Sequence, residues 1–462
     1  DSAPETLDFV RRKEAQMTGP NARSVALDCL LLIAEEGQFS HVVLAAARDK
    51  FAWMAEEERA LSERLVHGSL EYLPRLDRLI AERSKTPLRK LKPVIRCILR
   101  LSLYQILYLS RIPAHAVVNE AVKLTERRGL FGLKGFVNAL VRRFSREREE
   151  MLAEIAASSD PVLRYALPDW LAARFIREFG AEEAEKIAAS YLEPAPFSLR
   201  LNRTKFIAAG EPAAVTEGLT QSPYARDSFV AREGLSASLR SRIDEGFFFA
   251  QDLSSTLAVA AAAPKPGERV LDLCAAPGGK SLAAADLMRG EGTVISADLS
   301  AQKVERIADN VRRTGFSSSV KPVQSDAGVF RKDWEAAFDL VIADLPCSGL
   351  GVLGRKPDIK LRLKEADIAA LQELQRRFLC NAFRYLRPGG RLLYSTCTLT
   401  AEEDEDNARW LLDRFPELTP LDFSAELPEI RAAEACRSGA VKLLPSRLPL
   451  DGFFISVFRK AE

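Results

Sequence analysis

The chain has 462 residues, of which 47% are hydrophobic and 28% charged. That is an ordinary globular composition, and the length suggests about three domains. No run of about 18 apolar residues occurs, which argues against a membrane-spanning helix, and Asp1 to Gln16 is charged rather than apolar, unlike a secretory signal. The net charge of +2 hides an asymmetry. Residues 21–148 hold 23 Lys/Arg against 14 Asp/Glu, a surplus of +9, which leaves −7 for the remainder. A basic module joined to a mildly acidic one points to a polyanionic partner for the first. The seven cysteines are scattered without a C-x-x-C pair, and His41, His67 and His115 lie apart from them. The pattern predicts reduced thiols, a cytoplasmic protein and no metal site.

After a tail over 1–20, residues 21–148 read as helices only. Apolar residues recur every three or four positions from Val25, across Leu61 to Leu73, Ile95 to Leu109, Val117 to Leu124 and Phe136 to Phe144. Breaks fall at Gly37, Pro87, Pro113 and Gly129. This predicts a bundle of about seven helices. The charged run Arg146 to Glu154 reads as a connection. A small mixed subdomain is expected over 155–240, with a helix over Trp170–Phe179, a strand in Phe197–Asn202 and a Ser/Gly-rich loop near 219–240. From 241 to 462 strand-like runs alternate with helical ones. The strands are expected at Val270–Cys274, Thr293–Ala297, Val320–Val323, Leu340–Ala343 and Arg391–Ser395. The helices are expected at Ser281–Met288, Gln302–Arg313 and Ile368–Leu386. That alternation predicts a doubly wound, Rossmann-like sheet that binds ligands at the carboxyl ends of its strands.

The segment Val270 to Ser281 reads as strand, glycine turn and helix start. Gly278 and Gly279 allow close backbone approach, and the helix N-terminus offers N–H groups to an anion. Gly279-Lys280-Ser281 matches the end of a nucleotide-binding P-loop, but the first glycine of that motif would fall at Cys274, and no G-x-G-x-x-G is present. S-adenosylmethionine needs neither pattern. It needs an acidic residue after the second strand for the ribose hydroxyls, which Asp298 supplies, and Asp326 follows the third strand where it could meet the adenine amino group. The expected cofactor site is therefore Cys274, Ala275, Ala276, Pro277, Gly278, Gly279, Lys280, Asp298, Asp326 and Asp344. A lone aspartate at a strand end is as often a helix N-cap, but three such features at successive strand ends favour the cofactor.

Two further strand ends carry cysteine, in Ala343-Asp-Leu-Pro-Cys-Ser-Gly349 and Tyr394-Ser-Thr-Cys-Thr398. Most cysteines are small buried hydrophobes, and Cys29, Cys97, Cys274, Cys380 and Cys436 are read so. Cys347 and Cys397 differ because both follow strands on the cofactor side. Carbon 5 of cytosine is too weak a nucleophile to accept a methyl group until a thiolate adds at carbon 6, so a cysteine here suits covalent catalysis with an acid–base step. Asp344, three residues before Cys347, suits stabilisation near ring nitrogen 3. Lys280 is expected either to meet the cofactor carboxylate or to steady Asp344. Spacing alone does not decide which cysteine attacks.

LDLCAAPGGKS, ADLPCSG and STCT together resemble the RNA cytosine-5 methyltransferases of the NOL/NOP/Sun group. The likeness extends over Gln251-Asp252, Gly354–Asp358 and Asp451–Phe454. It implies Cys397 as nucleophile and Cys347 as the residue that helps release product; DNA cytosine methyltransferases instead attack with the PC cysteine. Phe197–Asn202 looks like the family's small RNA-recognition-like subdomain. Leu101–Gln105, Ile112-Pro113, Val118–Val122 and Phe136–Leu140 resemble the antitermination factor NusB. A NusB-like domain ahead of this catalytic domain is similar to the bacterial small-subunit ribosomal RNA enzymes of the Sun/Fmu/RsmB type. The resemblance implies 16S ribosomal RNA as partner, with monomeric behaviour expected. Leu361 stands where the family usually has Trp. Three rivals compete: a ribosome-assembly or antitermination factor, an amino-group methyltransferase, and the same reaction on transfer RNA. Both cysteines with Asp272, Asp298, Asp326 and Asp344 are intact, which argues against the first; DLPC with an additional TCT argues against the second; and the NusB likeness favours ribosomal RNA by analogy.

Overall fold

The computed structural model describes residues 21–195, 197–210, 216, 218–231, 235–430 and 436–462. The expected tail over 1–20 lies outside them. The chain forms two compact units, one of residues up to 177 together with 356–362, the other of 178–355 and 363–462.

The helical unit carries seven α-helices between Ala22 and Arg146 among the described residues. The first begins at a capping box, in which Asn21 accepts from the Ser24 amide while Ser24 Oγ accepts from the Asn21 amide. The central helix, Pro93–Tyr108, starts on proline and buries twelve of its sixteen residues. Gly68 makes its close packing possible, since a Cβ there would stand 2.0 Å from the Tyr104 ring. The unit is longer than the 21–148 expected. The charged run read as a connection is a helix, Arg148–Ala157, which buries Met151. Further helices follow at Pro161–Tyr165 and Asp169–Phe179. Residues 356–362, expected with the second half of the chain, belong to this unit. Asp358 accepts from Ser40 Oγ at 2.7 Å, Lys360 Nζ donates to the Glu71 carbonyl, and Leu361 packs against the helical core. Burial pushes the Lys360 ammonium down to about 7.

The second unit holds two sheets. The smaller is antiparallel in the order β2-β3-β1-β4, with β1 Phe197–Leu201, β2 Thr220–Gln221, β3 Ser228–Ala231 and β4 Phe248–Ala250. The stretch read as a loop near 219–240 thus supplies β2, β3 and the helix Ala237–Asp244. Local composition hides them because the strands are only two and four residues long.

The larger sheet comprises β5 Arg269–Asp272, β6 Thr293–Asp298, β7 Val320–Gln324, β8 Phe338–Asp344, β9 Leu386–Thr396, β10 Leu418–Pro420, β11 Ala440–Leu443 and β12 Phe453–Lys460. Its order is β10-β12-β9-β8-β5-β6-β7, with β11 also on β12. Strands β5 to β9 are parallel, and β12 returns antiparallel to β9. The central parallel strands are apolar on both faces, as Leu340 to Ala343 illustrates, because separate buried clusters cover each side. The order reverses between β5 and β8, which opens a crevice at the carboxyl ends of the two strands. Three C-terminal strands, β10 to β12, were not anticipated.

Candidate active site

The turn from β5 into the helix Gly279–Leu287 forms the floor of the site. Gly278 has φ +102°, a left-handed conformation that favours glycine, and it caps the helix without any side-chain acceptor. Beneath the turn, Ser281 Oγ donates to Asp272 Oδ2 at 2.7 Å and meets Ser296 Oγ at 2.7 Å. The other oxygen, Asp272 Oδ1, is buried without a hydrogen-bond partner. Burial pushes the Asp272 carboxyl up to about 7, against the opposing effects of Ser281 and Lys280.

A cleft opens above this floor, lined by Ala250, Gln251, Asp252, Ser255, Asp272, Cys274 to Pro277, Gly279, Lys280 and Asp344. Its enclosed volume is about 180 Å³, less than a whole nucleoside cofactor occupies, so it suits the amino-acid end of one. Asp298 lies beside it with Oδ2 accepting from the Ala276 amide at 3.2 Å. Asp326 closes its own turn by accepting from the Gly328 amide at 2.8 Å and is not part of the cleft wall. Of the sequence-derived site, Cys274 to Pro277, Gly279, Lys280 and Asp344 therefore line one cavity. Gly278 and Asp298 shape its floor and side, and Asp326 stands off. Sequence reasoning missed Ser255, counted Asp272 among the intact site residues without a specific role, and gave no role to Gln251 or Asp252.

Lys280 Nζ donates to Asp344 Oδ2 at 2.6 Å and to Ser255 Oγ at 3.3 Å, over the Phe453 ring at 5.3 Å. The contact with Asp344 is one of its two expected roles. Burial alone would lower the lysine, but the carboxylates of Asp344 and Asp272 and the thiol of Cys397 hold it above its usual range, so it is an ammonium. The second oxygen of Asp344 accepts from Ser395 Oγ at 2.8 Å.

The parallel register sets Asp344 on β8 beside Ser395 on β9. The chain that leaves each strand carries a cysteine, and the two sulfurs, Cys347 Sγ and Cys397 Sγ, stand 3.4 Å apart as free thiols. The contact with Cys397 and then burial raise Cys347 well above the usual thiol range. Buried Glu403 holds both turns from below. It accepts from the Ser348 amide at 2.9 Å, from Ser348 Oγ, from Thr400 Oγ1 at 2.8 Å and from Gln375 Nε2 at 2.9 Å. Nothing in the acidic run Glu402 to Asp406 marks Glu403 and Asp404 as fully buried, since such runs are normally solvated. Arg355 ties two more segments to the site through Asp451 at 2.7 Å and Asp252 at 3.1 Å.

A doubly wound sheet, a glycine turn after the first parallel strand and an uncapped helix start beside orphaned polar atoms fit an S-adenosylmethionine-dependent methyltransferase. The residues fit that cofactor: Asp272 Oδ1 and Gln251 Nε2 are buried, unpartnered and on the cleft wall, which matches an amino-acid end carrying both a donor and an acceptor.

Comparison with known proteins narrows the class. Residues 259–459 match the family described as 16S rRNA methyltransferase RsmB/F, and residues 20–146 match the NusB family. The chain is 34% identical over 453 residues to the probable ribosomal RNA small subunit methyltransferase B of Bacillus subtilis (strain 168), covering 96% of this chain and 100% of that one. It is 32% identical to the ribosomal RNA small subunit methyltransferase B of Escherichia coli (strain K12), covering 94% and 97%. The crystal structure of PH0851 aligns with a TM-score of 0.76 at 25% identity, over 96% of this chain and 100% of that one. A methyltransferase homologue from Pyrococcus horikoshii aligns with a TM-score of 0.52 at 29% identity, over 65% and 98%. The chain belongs to the RsmB/F family of ribosomal RNA small subunit methyltransferases, with an N-terminal NusB domain. Among the described residues no helix is long and apolar enough to cross a membrane, and no group of three or more His, Cys, Asp or Glu is placed to hold a metal.

Proposed function

We propose that the chain methylates carbon 5 of a cytosine in 16S ribosomal RNA through a covalent adduct on Cys397. The observation that carries this reading is the pair of thiols 3.4 Å apart at the ends of β8 and β9, next to the Lys280–Asp344 pair. A methyltransferase acting on an exocyclic amine has no use for two adjacent thiols. S-adenosylmethionine supplies a methyl group on a sulfonium and leaves as S-adenosylhomocysteine.

In this reading the Cys397 thiolate adds to carbon 6 of a cytosine turned out of its stack. Asp344, held by Lys280 and Ser395, is assigned to the ring edge at nitrogen 3, where it stabilises the adduct. Carbon 5 then takes the methyl group. Cys347, ionised after giving its own proton to solvent, takes the carbon-5 proton, and as that C–H bond breaks the bond from carbon 6 to sulfur breaks and the ring expels Cys397 as thiolate. The neighbouring Cys397 is the first cause of the raised Cys347 pKa and burial the second; once Cys397 is a thioether the first cause is gone, so Cys347 ionises more readily at the stage where a thiolate is needed. Asp298 is assigned to the ribose hydroxyls of the cofactor.

The test is to incubate Cys397→Ala and Cys347→Ala with S-adenosylmethionine and small-subunit ribosomal RNA from a strain lacking the enzyme, then run a denaturing gel. The reading expects RNA-linked protein with Cys347→Ala and none with Cys397→Ala. The reverse pattern would make Cys347 the nucleophile. Methyl transfer by Cys397→Ala at the wild-type rate would remove covalent catalysis altogether.

A further inference from the structure

Gln251 lies at the end of β4 on the cleft wall, 8% exposed, with its side-chain nitrogen unpartnered. The amide cannot be turned over. Its oxygen accepts from Arg200 Nε at 2.9 Å, and a guanidinium only donates. Oε1 must therefore face Arg200, and the NH2 group faces away from it. Arg200 is itself fixed, because Nη1 donates to Asp286 Oδ2 at 2.7 Å in a fully buried ion pair, and the guanidinium lies over the Phe249 ring at 4.2 Å. Asp286 is held in turn by the Arg203 amide and by the amide and hydroxyl of Thr204.

The other wall at this point is the start of the helix Gly279–Leu287. A Cβ placed on Gly279 would stand 3.6 Å from Gln251 Nε2, so the amide is packed directly against the first turn. That nine-residue helix has no side-chain cap, and the N–H groups of its first turn have no partner within the helix. A buried amide donor aimed at an uncapped helix start is a site for an anion. Asp272 Oδ1, on the same cavity, suits a cation instead.

We propose that Gln251 Nε2 donates a hydrogen bond to the α-carboxylate of S-adenosylmethionine, sharing it with the N–H groups at the start of Gly279–Leu287, and that Arg200 is the positioning residue that orients the amide. Gln251 thereby makes the enzyme selective for a cofactor that retains its carboxylate. The proposal rests on the cofactor and not on which base is methylated.

Calorimetry on the full chain without RNA tests it, using S-adenosylhomocysteine and its decarboxylated analogue, which keeps the amine. Wild type is expected to bind S-adenosylhomocysteine at least about tenfold more tightly, since a hydrogen bond to a charged group is lost with the carboxylate. Gln251→Met should weaken S-adenosylhomocysteine about ten- to a hundredfold and change the analogue less than about twofold. Gln251→Glu, which sets carboxylate against carboxylate, should weaken S-adenosylhomocysteine further and leave the analogue bound. Equal losses for both ligands would reduce Gln251 to a packing role and overturn the proposal, as would an unchanged affinity in Gln251→Met. Equal affinity of wild type for the two ligands overturns it without any variant, so the test survives a variant that fails to fold.

Discussion

In the helical unit, Arg100 is buried between Asp77 at 2.7 Å and Glu35 at 2.6 Å, and Arg83 reaches Glu154 at 2.9 Å. In the methyltransferase unit, Asp272 and Gln251 are equally buried, yet each keeps one polar atom without a partner on the same cleft. The helical unit pairs Arg100 and Arg83 with carboxylates, which serves packing, although single atoms such as Ser69 Oγ and Arg83 Nε are left without a hydrogen-bond partner there too. The methyltransferase unit leaves complementary atoms open where the strand order reverses, which serves a ligand. Deep burial of polar groups is common to both, so burial does not identify the site; the unsatisfied atoms that share a cavity do.

The largest effect expected from breaking this contrast is at Asp344, apart from loss of the nucleophile itself. Asp344→Asn removes the acidic group that the proposed mechanism assigns to the ring and should lower kcat about 10²–10³-fold. Affinity for S-adenosylhomocysteine should fall much less than kcat, as read by radiometric methyl transfer beside calorimetry.

In the helical unit the same kind of change should be a stability effect. Arg100→Met strands Asp77 and half of Glu35 and should cost about 3–5 kcal/mol, measured by denaturant unfolding. The acid limb of that unit follows from Glu35. Burial raises its pKa, but the hydrogen bonds and charges of Arg96 and Arg100 outweigh burial and hold it below the usual range. A lowered folded-state pKa means stability that is present at neutral pH and is lost as pH falls below about 4. Arg100→Met should flatten that limb.

A smaller effect sharpens the account of the open cleft. With its pKa raised to about 7, Asp272 must lose a proton before it can receive the cofactor's amino group. Wild-type affinity for S-adenosylhomocysteine should be level above pH 7 and fall about tenfold by pH 6. Asp272→Asn should bind more weakly with no such slope, and an unchanged slope would detach Asp272 from the amino group.

The smallest change expected is at Leu361, which packs in the helical core. Leu361→Trp should shift unfolding by no more than about 1 kcal/mol and leave cofactor affinity unaltered.

The placement of many candidate site residues was legible because they sit at strand ends, where a continuous apolar run stops and a polar or glycine residue follows. Cys347, Cys397, Asp298 and the Gly278 turn are all of that kind. What escaped was set by distant partners. Glu403 and Asp404 are buried by Ser348, Gln375, Thr396 and Lys442, none of which an acidic run announces. Gln251 takes its meaning from Arg200, fifty-one residues earlier. Residues 356–362 join the helical unit through Ser40 and Glu71, roughly three hundred residues away. Arg148–Ala157 was mistaken for a connection because a helix that buries one residue leaves almost no apolar stripe to read.

The central claim, that Cys397 attacks carbon 6 so that carbon 5 can be methylated, is tested most directly with RNA in which the target cytosine carries fluorine at carbon 5. Wild-type enzyme with S-adenosylmethionine should transfer the methyl group and then stall, because fluorine cannot leave as a proton does. Digestion and mass spectrometry should find a methylated fluorocytosine on the peptide containing Cys397. A link to Cys347, or methylated RNA released with no link to the protein, would contradict the account.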